Sequence, residues 1–303
     1  MEHTTRIAGF ALRPKGSFPA PGLPLPAFAP LPELPDPLGR IGDLELKLAL
    51  KPKDVKRAQR LRYKVFFEEM SAVPNVMARL SRRDMDVFDQ VCDHLLVRDR
   101  APKSGLIRKK PKTVGTYRLL RQEVAERHFG FYTQGEFDIA PLIARHRHLN
   151  FLELGRSCVL EPWRDRRTVE LLWHGIWAYV LAHRVDVMIG CASLEGTNAS
   201  EHILPLSYLH HFHRAPDNWL ASAHPEHRAD VPLMAKEEID ARAALRALPP
   251  LIKGYLRLGA MIGDGAVIDR QFGTTDVLIV LPRAFINPRY IQYYGADAER
   301  HAA

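Results

Sequence analysis

Residues 151–180 read FLELGRSCVLEPWRDRRTVELLWHGIWAYV, and a change of period inside this stretch decides the fold class. The first part is a short β-rich run carrying Glu153 and Arg156, and it ends at Pro162. The last part is an amphipathic helix: Val169, Leu172, Trp173, Ile176, Trp177 and Val180 fall at i, i+3, i+4, i+7, i+8 and i+11. Between them lies the cationic turn WRDRRT (163–168). A strand that feeds a basic turn and then a helix N-terminus offers backbone N–H groups and a positive dipole end to a phosphate. With two ionisable groups just upstream, the pattern suggests group transfer from a phosphate-bearing carrier. The turn can equally be a solvated basic loop.

Working outward, strand and helix alternate from Leu44 onward. LELKLAL (44–50) alternates as a strand, and Pro52 and Asp54 open a helix with Val55, Ala58, Leu61, Val65, Phe66 and Met70 on its apolar face. HLLV (94–97) and TVGTYRLL (113–120) read as neighbouring strands, joined by the loop PKSGLIRKKPK. A short helix near 138–147 precedes the strand 151–159 and the helix 166–183. Then come the strand 186–194, helices over 200–214 and 236–247, a Gly-rich segment, and the strand DVLIVLP (276–282). Parallel and hairpin-type connections together predict an α/β three-layer fold around a mixed sheet. Nine prolines between Pro14 and Pro37, without apolar periodicity, mark residues 1–43 as a disordered Pro-rich tail outside the fold.

The 303-residue chain has 43 Lys plus Arg against 35 Asp plus Glu, a net charge of +8 that favours an acidic partner. Dispersed basic residues and the lack of a finger, homeodomain or RNP pattern argue against nucleic acid. No Walker motif or G-x-G-x-x-G follows a strand, which argues against nucleotide hydrolysis and dinucleotide binding. Cys92, Cys158 and Cys191 read as buried reduced thiols. The N-terminus lacks an unbroken apolar run and no segment is long enough to span a bilayer. A cytoplasmic protein, soluble or peripheral at the inner membrane, is the expectation.

Glu153 and Arg156 are three apart, so a regular pleat puts them on opposite faces. Gly155 permits a bulge that brings both toward one cleft. They are then either a salt bridge or a general base beside an oxygen-binding guanidinium. Asp86, Asp89 and Asp93 cluster before a strand, where they can bind a cationic amine or cap a loop. His94 and Asp99 form an H-x4-D pair whose separation of five on a strand points them apart. His210 and His213 lie one helical turn apart without third or fourth ligands, so no metal site is expected.

Seven ordered segments then carry a resemblance. RLRYKVFFEEM (60–70), FDQVCDHLLV (88–97), VGTYRLL (114–120), LELGRSCV (152–159), GCASLEGT (190–197), LSYLHHFH (206–213) and the run 248–282 resemble the bacterial L-ornithine Nα-acyltransferases. The resemblance covers roughly 44–290. That family belongs to the GNAT superfamily, is similar to the acyl-homoserine lactone synthases, and makes lyso-ornithine lipid from ornithine and 3-hydroxyacyl-acyl carrier protein. It implies a GNAT-like fold with a splayed central sheet over 44–295, including a C-terminal extension from about 230. Arg62, Val65 and Phe66 match the relatives' R-Y-x-V-F motif, Asp86 and Asp89 their acidic cluster, Arg118 their G-x-R-L-L arginine, and Glu153 with Arg156 their E-x-x-R. Two departures stand out. MSAVPN (70–75) lacks the Trp of the lactone synthases, and PWRDRR (162–167) replaces the Gly-rich loop of the acetyl-CoA branch.

Joined to the resemblance, these motifs imply an acyl thioester lying where central strands splay, its carbonyl on N–H groups near Ser157–Val159. Glu153 and Arg156 are the expected catalytic pair. Arg62, Phe66, Asp86, Asp89, Asp93 and Arg118 are the expected acceptor site, an aspartate holding the δ-ammonium and Arg118 or Arg156 the carboxylate. Trp163, Arg164, Arg166, Arg167 and Thr168 are expected to hold the carrier's phosphopantetheine. No cofactor beyond that donor arm is expected. The alternatives are a lactone synthase, an acyltransferase for another amino acid, or a lipid-binding protein meeting an anionic membrane through its basic face and segment 248–263.

Overall fold

The computed structural model describes residues 34–70, 72–100 and 111–294. Ten strands form one open sheet in the order β1-β2-β3-β4-β6-β7-β10-β9-β8-β5. They are β1 (Gly39–Ile41), β2 (Leu44–Leu48), β3 (Asp93–Asp99), β4 (Lys112–Arg121), β5 (Phe137–Asp138), β6 (Phe151–Val159), β7 (Val187–Glu195), β8 (Ser222–Ala223), β9 (Met261–Asp269) and β10 (Thr274–Pro282). The helices are α1 (Pro52–Tyr63), α2 (Val76–Ser81), α3 (Gln122–Arg127), α4 (Ala140–Arg145), α5 (Arg166–Ala182), α6 (Ile203–His213), α7 (Ala241–Ala247), α8 (Pro250–Leu258) and α9 (Pro288–Tyr294). A π-helical turn, Lys64–Glu69, continues α1.

The sheet is buried on both faces, as alternation along its strands shows. On β7, Met188, Ala192 and Leu194 enter one core while Val187 and Ile189 enter another; on β10, Val277, Ile279 and Leu281 divide from Leu278 and Val280. The first core takes Leu61 of α1, Ile176 of α5, Leu209 of α6 and Ile252 of α8. The second takes Val124 of α3, Leu142 of α4 and Trp219. This is the expected three-layer α/β arrangement.

One seam governs the site. β1 to β4 and β6 pair antiparallel, as do β7, β10 and β9, but β6 and β7 run parallel and pair only over Phe151–Glu153 with Val187–Ile189. Beyond Glu153 the two strands diverge. Gly190 stands at the divergence, and a Cβ there would lie 2.3 Å from the Leu154 carbonyl oxygen.

Two expectations are corrected. The tail does not reach residue 43: β1 pairs with β2, Leu38 is buried, and His174 Nε2 lies 3.1 Å from the Leu38 carbonyl oxygen. Residues 1–33 fall outside the described residues, as does 101–110, most of the loop expected between β3 and β4. The segment 248–263 keeps most of its apolar residues from the surface, because Leu248, Ile252, Tyr255, Leu258, Ala260 and Ile262 are buried in the first core.

Candidate active site

A β-bulge builds the centre of the site. Gly155 pairs with Arg118 and Cys158 with Thr116, so Arg156 and Ser157 together oppose Tyr117. The bulge was expected to rest on Gly155, yet the left-handed residue is Arg156, at φ 51°. A non-glycine residue there carries backbone strain, which its surroundings must hold in place. The strain sets the direction of the side chain. Arg156 turns to the face of the second core, where its guanidinium lies 4.8 Å from the Tyr132 ring centroid and 4.3 Å from that of Phe272.

Glu153 faces the same way. It is buried, and its carboxylate accepts the backbone N–H of Tyr132 at 3.0 Å and of Thr133 at 2.7 Å. Those donors open the 3-10 turn Tyr132–Gly135. Burial raises the Glu153 pKa, opposed by the Thr133 and Tyr132 hydrogen bonds and by Arg118.

Around Arg156 lies a closed ionic cluster. Arg62, fully buried, donates to Asp84 at 2.8 Å and to Asp89 at 2.6 Å. Arg118 donates to both Asp86 oxygens at 2.7 Å and approaches Asp89 at 3.4 Å. Arg156 donates to Asp86 at 3.1 Å and stands 3.5 Å from Asp84. Three guanidiniums thus face three carboxylates. Burial pulls Asp86 and Asp89 upward, yet the guanidiniums hold both below the usual carboxylate range.

That balance changes the reading of the acidic residues. Asp86 and Asp89 carry no surplus charge for a substrate ammonium. Asp93 is not with them: it sits on β3 opposite Leu119, accepts the Tyr179 hydroxyl and lies 3.8 Å from Arg121. Phe66 reaches the cluster only indirectly, packing edge-on against Phe272 at 5.5 Å. Sequence reasoning missed Asp84, Tyr132 and Phe272. Asp84 stands in RRDMD (82–86), two residues before Asp86, and that spacing was the available signal, whereas Tyr132 and Phe272 lie in no charged pattern.

The basic turn falls between β6 and α5 as expected, but its groups are already engaged. Asp165 caps α5, accepting the Thr168 N–H at 2.9 Å, and Arg167 donates to it at 3.1 Å. Arg164 donates to Glu69 at 2.6 Å, Arg166 pairs with Glu170 and Tyr293, and Trp163 donates to Asp99 at 3.2 Å. Thr168 is fully buried.

Comparison with known proteins places this geometry. The acetyltransferase (GNAT) domain family matches residues 61–174. The L-ornithine N(alpha)-acyltransferase of Rhizobium meliloti strain 1021 is 53% identical over 88% of this chain and 90% of its own length. The protein of the same name from Agrobacterium fabrum strain C58 is 53% identical over 86% and 88%. The chain belongs to the L-ornithine Nα-acyltransferase family. Among solved structures, FeeM, an N-acyl amino acid synthase from uncultured soil microbes, overlaps with a TM-score of 0.42 and 9% identity over 82% of this chain and 97% of that one, an overlap too loose to carry an argument.

The cysteines and the histidines His94, His211 and His213 sit in structural surroundings. Burial pushes the Cys158 thiol up to about 12 and raises Cys92 and Cys191 well above the ordinary range, which disfavours thiolate chemistry. His94 is buried, and burial lowers it to about 4. Asp99, its H-x4-D partner in sequence, instead meets Trp163. His211 Nε2 lies 2.9 Å from the Met234 carbonyl oxygen and His213 Nε2 lies 3.2 Å from the Tyr208 hydroxyl, both structural contacts.

Proposed function

We propose that this acyltransferase moves a 3-hydroxyacyl chain from acyl carrier protein to the α-amine of L-ornithine, giving lyso-ornithine lipid. The observation that carries the mechanism is the seam. Past Glu153 the edges of β6 and β7 no longer pair with each other, which leaves an extended slot where a pantetheine arm can lie like an added strand. The thioester carbonyl then meets backbone N–H groups near Ser157–Val159.

The α-amine attacks the carbonyl carbon, forming the C–N bond. The C–S bond breaks and the carrier leaves as a thiolate, which is then protonated by the proton removed from the amine. Glu153, acting through water, takes the amine proton, and burial, by raising its pKa, makes it a stronger base than an exposed carboxylate. Arg156 holds the acceptor's carboxylate or the developing oxyanion from the aromatic bed of Tyr132 and Phe272. Arg166 and Arg167 are exposed at the α5 N-terminus, and together with the net charge of +8 they favour an acidic carrier protein. PWRDRR (162–167) in place of a Gly-rich loop suits a donor arm with one phosphate and no nucleotide.

The test is product formation from 3-hydroxyacyl carrier protein or acyl-CoA with ornithine, read by mass spectrometry at several salt concentrations. Carrier protein should far outperform acyl-CoA. The preference should shrink with salt, since exposed charges are screened beyond about 8 Å near physiological ionic strength. Glu153→Gln should keep the fold and lower turnover by roughly 100-fold or more. Wild-type turnover in that variant removes Glu153 as the base, and equal use of both donors removes the carrier protein.

A peripheral membrane contact is a second reading, favoured by α2 and the residues before it. Val73, Val76, Met77 and Leu80 are 58%, 71%, 50% and 78% exposed, beside exposed Arg79 and Arg82. Protruding apolar residues flanked by cations suit an anionic lipid surface. Flotation with anionic against neutral vesicles tests it, and absence from both vesicle fractions ends it.

A further inference from the structure

Three buried carboxylates lie outside the balanced cluster. Glu136, Asp269 and Asp276 each offer an oxygen, and these oxygens all lie within 4.8 Å of one another. They come from three places in the fold: the residue after the Tyr132–Gly135 turn, the end of β9, and β10. The residues are 3%, 8% and 5% exposed, so water does little to screen them. Asp276 lies on the face of Leu278 and Val280, and Glu153 on that of Phe151, so both look into the second core.

Asp269 and Asp276 differ from the aspartates of the neighbouring cluster, each of which has a guanidinium within 3.5 Å. Asp269 Oδ1 accepts the N–H groups of Gln271 at 2.8 Å and Phe272 at 3.0 Å, which fixes it in place. Asp276 Oδ1 is buried without a hydrogen-bond partner. Arg156 is near enough to influence Asp276, but its ion pairs are with Asp84 and Asp86, so one shared guanidinium does not neutralise the trio. Carboxylates this close and this buried repel one another unless a proton or a cation joins them. Burial pushes Asp276 up to about 6, with Asp269 adding to the rise, so at neutral pH the group ionises against its surroundings.

Position identifies the cation. Thr133, which donates to Glu153, is three residues from Glu136, a stretch of chain no longer than about 10 Å. Phe272, which donates to Asp269, is the ring beneath Arg156. The trio therefore stands one side chain away from both members of the expected catalytic pair. A diamino acid with its α-amine at Glu153 and its carboxylate at Arg156 has a terminal ammonium to place at such a distance. We propose that Glu136, Asp269 and Asp276 form the subsite that binds the side-chain ammonium of the acceptor and so select a diamino acid. The assignment rests on the acceptor being ornithine, and it replaces Asp86, Asp89 and Asp93 in that role.

The test compares L-ornithine with L-norvaline, the same carbon chain without the terminal amine, in wild-type protein, Asp276→Asn and Glu136→Gln. Wild type should prefer ornithine by 100-fold or more in kcat/KM. Each variant should raise the ornithine KM at least tenfold and leave the norvaline and donor KM values within twofold. An unchanged ornithine-to-norvaline ratio in both variants, with thermal melts showing them folded, overturns the subsite. So does activity that is lost to a chelator and restored by Mg2+ or Mn2+, with wild-type protein binding the metal by calorimetry and Asp276→Asn failing to bind it; the trio is then a metal site. If wild type acylates neither amine, the acyltransferase reading fails by itself. Calorimetry of ornithine against norvaline then decides the subsite separately: it stands if wild type binds only ornithine and Asp276→Asn does not, and falls otherwise.

Discussion

Replacing Gly190 with alanine tests the seam directly. The added Cβ would sit 2.3 Å from the Leu154 carbonyl oxygen, whereas ordinary contacts begin near 3.4 Å, so one backbone must move by about 1 Å. Neither is free to do so cheaply. Gly190 is paired with Ile279 of β10, and Leu154 with Leu119 of β4. Overpacking of this kind costs about 1–3 kcal/mol, and the clash with main chain rather than with a flexible side chain puts it toward the upper end. That corresponds to a loss of roughly 4–10 °C in Tm. The same displacement widens the slot next to Glu153, and a misplacement of about 1 Å can cost 100-fold in rate. Urea unfolding and acyl-transfer kinetics read the two effects. Gly254→Ala in α8 is the control: nothing lies within 4 Å of its added Cβ, and it should gain about 0.4–1 kcal/mol. If Gly190→Ala matches wild type in both stability and kinetics, the close approach of β6 and β7 is not what shapes the site.

Two further outcomes are expected. Arg62→Met should lose about 3–5 kcal/mol, read as a lower urea midpoint, because it leaves Asp84 and Asp89 buried with one cation fewer. Asp276 should make stability and acceptor binding respond to pH in opposite directions. Its folded pKa, about 6, lies above the ordinary 3.8, so the unfolded chain releases its proton first as pH rises. The protein without acceptor should therefore lose up to roughly 3 kcal/mol between pH 4 and 7 from this group, a loss absent in Asp276→Asn. The KM for ornithine should fall across the same window in urea- and melt-controlled assays, as the carboxylate needed for an ammonium ionises.

How far the sequence reveals this protein depends on how local each signal is. The helix α5 is legible because its apolar period is unbroken, and β7 and β10 because their residues are apolar on both faces. β9 reads as a Gly-rich loop, because Gly263 and Gly265 dilute its pattern. The structure explains both glycines by close approach: a Cβ at Gly263 would stand 2.8 Å from the Ala221 carbonyl oxygen, and Gly265 has φ +82° beside Arg228. Glu153 and Arg156 announce themselves as a motif. That Asp86 and Asp89 are neutralised does not, since Arg62, Arg118 and Arg156 come from α1, β4 and β6. The trio is least legible of all. Glu136 is far in sequence from Asp269 and Asp276, and only the sheet order brings them together.

The reach of residues 131–138 has a consequence for how the molecule assembles. Strands β1 to β4 and β6 all lie before residue 160, and β7, β9 and β10 all lie after residue 186. Each set closes through antiparallel neighbours, and the seam joins them by a short parallel pairing of Phe151–Glu153 with Val187–Ile189. The segment 131–138 crosses between them. It starts on Glu153 in the first set and ends with Phe137 paired to Ala223 of β8, at the edge of the second. Its contacts to the two sets can be complete only where both sets are in place, and Glu153 and Glu136 stand near its two ends. The groups proposed to receive the α-amine and the terminal ammonium are therefore spaced by one short piece of backbone, and that spacing exists only in the fully assembled protein.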